Sequence, residues 1–149
     1  MDTLFQFGYV GLFIISFLAA SLLPLSSELF VLAMPPLGYN IWWVGIVATV
    51  GNFAGALLNY YVGWKGSEFM LGRFFKIKES TRKKAEQFYE RWGQVSLFFS
   101  WVPIIGDPLT AVSGAMKTDL RIFTFWVVLG KALRYVVLLG LAQQFDLFS

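Results

Sequence analysis

The chain contains no cysteine and no histidine. The first absence excludes disulfides, thiolate metal sites and a thiol nucleophile. The second removes the usual general base and the commonest zinc ligand. Charge is scarce as well, with 12 basic and 9 acidic residues among 149, where a soluble domain carries roughly a quarter charged positions. Residues 3–27 hold no Asp, Glu, Lys or Arg, and neither do residues 29–64. About 20 consecutive apolar residues suffice to cross the hydrocarbon of a bilayer. An ordinary soluble enzyme and a disordered chain are thereby excluded.

What remains is 57% hydrophobic and 19% aromatic, with the charge gathered in one place. Residues 65–91 carry eight basic and four acidic side chains, whereas the rest of the chain nets −1. One basic segment between hydrophobic blocks reads as a cytoplasmic loop under the positive-inside rule. It carries no nucleic-acid motif, so no nucleic-acid partner is expected. The amino-terminal run has no basic n-region and no small-residue cleavage site after it, and is expected to be retained.

The expected fold is an all-α membrane protein forming a single membrane domain over residues 1–149. Residues 4–38 form a first re-entrant hairpin broken at Pro24, and 41–64 a transmembrane helix rimmed by Trp and Tyr at both ends. Segment 65–91 is cytoplasmic and basic. Residues 92–116 form a second re-entrant hairpin broken at Pro103, Gly106 and Pro108, and 122–141 a second transmembrane helix. Within the basic segment, Ser80 or Thr81 can cap a helix whose Ala85, Phe88, Tyr89 and Trp92 share one face, with Glu79–Lys83 and Arg82–Glu86 at i,i+4 on the other. Such a helix lies on the headgroups or serves as a solvated connector.

Pro24 and Pro103 are each followed four residues later by an acid, Glu28 and Asp107. The same offset of 79 positions aligns Ser21 with Ser100, Gly51 with Gly130, and Asn52 with Lys131. The matches fall on the unusual residues, so the chain reads as two copies of one unit, a proline-broken hairpin followed by a spanning helix. With 65–91 cytoplasmic, the copies are inverted, and broken segments at corresponding places point to a transport site. One alternative stays open: residues 4–23 can instead cross fully.

Ionisable groups inside membrane segments are functional candidates by default. There are four, Glu28, Asp107, Lys131 and Arg134. Lys131 and Arg134 share a helix face near Tyr135 and suit an anion such as a phosphate. Glu28 and Asp107 suit proton exchange. The alternative is structural, because two acids and two bases sum to zero and can simply pair. Gly51, Asn52, Gly55 and Asn59 form a small and polar stripe for close helix packing, and Gly130 serves the same purpose. Ser26 and Ser27 can cap the return helix of the first hairpin. No nucleophile–base pair, metal constellation or cofactor motif is present, so neither an enzyme nor a cofactor is expected.

Several stretches together resemble the DedA family, also called the VTT or SNARE-associated group. They are Phe7–Tyr9 with Leu23–Leu29, the helix carrying Gly51, Asn52, Gly55, Asn59, Tyr60 and Gly63, and Gln87–Gly93. Trp101–Pro108 and Gly130–Tyr135 are similar to its short YqaA branch. The resemblance implies a bacterial inner-membrane protein with two opposed re-entrant hairpins. It also implies lipid substrates such as undecaprenyl phosphate or a phospholipid, and dependence on the proton-motive force. Longer members place arginines three residues before and three after the proline matching Pro103, where this chain has Ser100 and Gly106. The expected function is that of a small lipid transporter or flippase acting as a homo-oligomer. A non-transporting assembly factor or a proton-coupled carrier of polar solutes are the alternatives.

Overall fold

The computed structural model describes residues 2–21, 27–66, 79–102 and 104–146. Pro24, Pro103, Ser26 and part of the basic segment lie outside them. The described residues form helices and contain no strand. In chain order these are α1 (Asp2–Ser21), α2 (Ser27–Ala33), a 3-10 turn (Pro35–Leu37), α3 (Ile41–Trp64) and α4 (Glu79–Trp92). A 3-10 arm (Gly93–Trp101), α5 (Gly106–Ala115) and α6 (Leu120–Gln144) follow. With 24 and 25 residues, α3 and α6 are long and apolar enough to cross a membrane.

Side-chain caps set where these two helices start. Asn40 Oδ1 accepts from the N–H groups of Trp42 and Trp43 at 2.9 and 3.4 Å. Asp119 Oδ1 accepts from the Arg121 N–H at 2.8 Å, satisfying donors that a helix start leaves open. Helix α3 has the limits its sequence predicts. Helix α6 is longer than the expected 122–141, because the Asp119 cap starts it earlier and Gln143 and Gln144 carry it past its apolar stretch.

Helix α1 lies against α3 along the glycine stripe. A Cβ on Gly51 would sit 2.6 Å from the Phe13 carbonyl oxygen, and one on Gly55 would strike that of Phe17. The Asn40 N–H donates to the Tyr9 hydroxyl at 3.2 Å, and Asn52 Nδ2 to the Ser16 carbonyl at 3.1 Å. Asn59 Nδ2 reaches the Ala20 carbonyl at 2.8 Å. Residue numbers rise together along these contacts, so α1 and α3 run parallel. Parallel neighbours in sequence require the chain to double back between them. Helix α2 and the 3-10 turn do so, ending at Gly38 in the left-handed region, φ 96°.

The second half packs about α6 and α3. The 3-10 arm runs along it, with Phe98 stacked edgewise on Trp126 and its carbonyl oxygen where a Gly130 Cβ would fall. Helix α5 then returns beside α3, packed through Gly63 and Gly114, whose Cβ positions are taken by the Ala111 and Tyr60 carbonyl oxygens. Helix α6 is antiparallel to α3. Tyr60 meets Phe123 at 4.7 Å between ring centroids, and Gly45 faces Leu139 near the other end. The first pair of segments therefore leaves and returns at the Asn40 end. The second does so at the Trp64 end, where Tyr60 donates to the Thr118 carbonyl at 2.5 Å and Lys117 Nζ to that of Trp64 at 2.6 Å.

A nine-residue 3-10 helix is unusual, and its geometry has a use. At about 2.0 Å per residue it reaches about 18 Å, against about 13.5 Å for an α-helix of equal length. The short second arm thus reaches the middle of the fold with fewer residues than α1 uses.

Helix α4 has the expected i,i+4 pairs, Glu79–Lys83 at 3.5 Å and Arg82–Glu86 at 3.6 Å. Ser80 and Thr81 lie within it. Its Ala85 and Tyr89 are buried against the 3-10 arm and α5, and the Tyr89 hydroxyl hydrogen-bonds that of Thr118. Much of the apolar face is therefore taken up by protein rather than left for headgroups or water. Two apolar clusters form the core. One surrounds Tyr60, Leu97, Leu109 and Phe123 toward the Trp64 end, and the other Leu12, Val31, Val44 and Tyr135 toward the Asn40 end. Polar side chains gather between them.

Candidate functional site

The site is built on the middle of α6. Lys131 lies 11 residues after Leu120 and 13 before Gln144, so about 16–20 Å of helix separates it from either end. Arg134 and Tyr135 follow one turn later. Lys131 Nζ lies 3.5 Å from Asp107 Oδ1 on α5, and Arg134 pairs with Glu28 on α2. All four candidate charges are thus brought to one level of the fold, each acid matched with its own base on a common helix.

The two pairs differ in access. The Lys131 side chain is 2% exposed and that of Asp107 44%. Arg134 and Glu28 are 28% and 36% exposed, so this pair is open on both partners. A buried ammonium must be paired to be tolerated, and removing its partner is expensive. Asp107 also occupies the first turn of α5, where the helix dipole favours a negative charge.

Neighbouring polar groups tie the segments together. Ser27 Oγ and the Tyr135 hydroxyl share a buried hydrogen bond of 2.8 Å. Ser27 therefore turns its hydroxyl to α6 rather than capping α2. Asn59 Nδ2, besides its bond to Ala20, lies 3.2 Å from Thr110 Oγ1. The Ala20 carbonyl is among the last four of α1, which have no partner within the helix. Such a group must be satisfied by protein when hydrocarbon surrounds it. Asn59 thereby joins the end of α1 to α5. Among the described residues, the buried Ser100 Oγ and Asn59 Oδ1 have no protein partner.

The expected hairpin-breaking residues have distinct places. A Cβ on Gly106 would strike the Ser100 carbonyl, so this glycine permits the tight return from the arm to α5. Pro108 is buried in the first helical turn, where a missing N–H costs no hydrogen bond. Ile104 has φ 76°, a strained conformation for a β-branched residue, and is exposed at the tip. Pro24 and Pro103 fall outside the described residues.

Sequence reasoning did not foresee the close approach of Gly63 to α5. It continues the four-residue spacing of Gly51, Gly55 and Asn59, so the stripe could have been extended by one turn. The Ser27–Tyr135 bond joins residues 108 apart, and no local signal announces it.

A groove of about 470 Å³ runs between the first half of α3 and the second half of α6. Ile46, Thr49, Ala132, Tyr135, Val136 and Gly140 are among its lining residues. Ile46, Val50 and Val136 are exposed along it, so it opens sideways. It is lateral and apolar, with only Tyr135 in common with the charge cluster.

Comparison with known proteins places these features in context. The VTT domain profile matches residues 23–144. Inner membrane protein YqaA of Escherichia coli (strain K12) is 39% identical over 137 residues, spanning 90% of each chain. An uncharacterized protein of Haemophilus influenzae is 34% identical over 143 residues, spanning 90% of this chain and 87% of its own. Undecaprenyl phosphate transporter A of Staphylococcus aureus is 25% identical over 138 residues, spanning 84% and 68%. No solved structure matches.

Proposed function

Because this chain belongs to the VTT-domain, or DedA, family and is itself an inner-membrane protein, we propose that it moves a phosphate-bearing lipid across that membrane. The observation carrying this reading is the pairing of each acid with a base near the middle of α6. The lipid phosphate takes the place of the Glu28 carboxylate on Arg134, and the displaced acid binds a proton. Charge at the site is then conserved, which keeps an ion from being stranded at low dielectric. Lys131 and Asp107 form the second exchange pair, enclosed on the lysine side.

Three features support the arrangement. The first pair of segments enters at the Asn40 end and the second at the Trp64 end, as two inverted re-entrant hairpins would. Helix α4, with its basic flank, lies at the Trp64 end, which is then cytoplasmic. The lateral groove is apolar, which suits a hydrocarbon tail better than a polar solute. The relative named for undecaprenyl phosphate makes that lipid, alongside phosphatidylglycerol, the natural first substrate to try.

The test is lipid movement in vesicles of phosphatidylethanolamine and phosphatidylglycerol carrying traces of undecaprenyl phosphate or fluorescent phosphatidylglycerol. Glu28→Gln keeps the size and hydrogen-bonding capacity of the acid but cannot exchange a proton. It should slow movement at least about tenfold, the weight of one charge-assisted contact, and abolish the effect of a pH gradient. Unchanged transport refutes the site. The complete pairing of the four charges favours one second reading, a non-transporting assembly factor held together by them. On that reading the wild type moves no lipid, and exchanging Glu28 with Arg134 restores the thermal stability lost by either single neutralisation.

A further inference from the structure

Adjacent residues of α2 and α6 are joined twice. Ser27 bonds the Tyr135 hydroxyl, while Glu28, the next residue of α2, pairs with Arg134, the residue before Tyr135. Neighbouring Cα atoms are about 3.8 Å apart, so one link cannot open widely while the other stays closed. Helix α2 has seven residues, too few to be stable by itself. Its position therefore depends on these links and on Val31 and Met34 in the core. Tyr135 is 1% exposed. Its ring packs with Leu12, Val31, Val44 and Leu139 and also forms part of the inner wall of the lateral groove. Among the described residues it is the one that belongs to the groove, the core and the polar cluster together.

We propose that Tyr135 is a positioning residue. Through Ser27 its hydroxyl holds α2 against α6 and so keeps Glu28 on Arg134; breaking that bond releases the acid and frees the arginine for an anionic head group. The inference deepens the proposed lipid pathway and rests on it for the identity of the anion. The latch itself stands on the Ser27–Tyr135 and Glu28–Arg134 contacts.

Because the chain lacks cysteine, Val31→Cys introduces a single thiol on α2 at a fully buried position. Its labelling by N-ethylmaleimide in vesicles reports the opening of α2 without requiring transport. Tyr135→Phe keeps the ring and removes the hydroxyl, and Ser27→Ala removes the same bond from the other side. Each should raise the labelling rate about five-fold, the weight of one neutral buried hydrogen bond, and the double variant no further. In the vesicle assay with fluorescent phosphatidylglycerol, each should lower the apparent KM by a similar factor, because Arg134 is free for a larger fraction of the time. A merely structural tyrosine would reduce the number of active molecules and leave KM unchanged. Unaltered labelling, additive effects in the double variant, or an unaltered KM in an actively transporting protein overturns the proposal. Five-fold faster labelling in a protein that moves no lipid even as wild type sustains the latch and removes the lipid reading instead.

Discussion

Replacing Lys131 by methionine tests the energetics of the buried pair. Met is close to Lys in length and flexibility, so the apolar stem is retained and only the ammonium is lost. Asp107 would then keep its charge in the first turn of α5, with its counter-charge 3.5 Å away removed. Breaking a buried ion pair by deleting one partner costs about 3–5 kcal/mol. The 44% exposure of Asp107 outside its protein contacts argues for the lower end. In a detergent melt followed by circular dichroism, about 3 kcal/mol should lower Tm by about 6–12 °C for a chain of this size. Adding Asp107→Asn removes the stranded charge and should recover most of the loss. Lowering the pH protonates Asp107 in the single variant, so its deficit should shrink toward acid while that of the double variant stays flat. Equal melting of single and double variants at every pH would refute the idea that Lys131 serves to neutralise Asp107.

Two further substitutions probe the frame around the site. Asn59→Leu fills similar volume but leaves the Ala20 carbonyl without its donor; stability should fall by about 1–3 kcal/mol, the cost of one unpaired buried polar group, seen as a lower Tm. Gly63→Ala directs a methyl group at the Ala111 carbonyl oxygen, a contact that only separation of α3 and α5 relieves. It should cost about 1–3 kcal/mol, as overpacking does, whereas Gly11→Ala, with open space around its Cβ, should leave the melt unchanged.

Much of this protein was legible in the order of its residues, and the reason is the membrane. Hydrocarbon tolerates so few charges that their absence from residues 29–64 exposes a candidate spanning helix directly, and α3 ends where that run ends, its start being set by the Pro35–Gly38 break and the Asn40 cap. The same rarity singled out Glu28, Asp107, Lys131 and Arg134, because an ion in an apolar stretch is costly wherever it sits. Glycine spacing on α3 likewise announced a close approach, since a missing Cβ every fourth residue makes a groove on one helix face.

Which acid meets which base was not written there. Helical spacing puts Lys131 and Arg134 on one side of α6, yet their partners come from α2 and α5, whose placement depends on the Gly51, Gly55 and Gly63 contacts and on Asn59 satisfying the open end of α1. The 3-10 form of the second arm was equally hidden, because its extra reach is needed only once the distance from α4 to the middle of α6 is set. Composition and periodicity are properties of single segments. Ion pairing, the Ser27–Tyr135 bond and the difference in access between the two charge pairs arise from distances between segments far apart in the chain, and only the folded arrangement decides those.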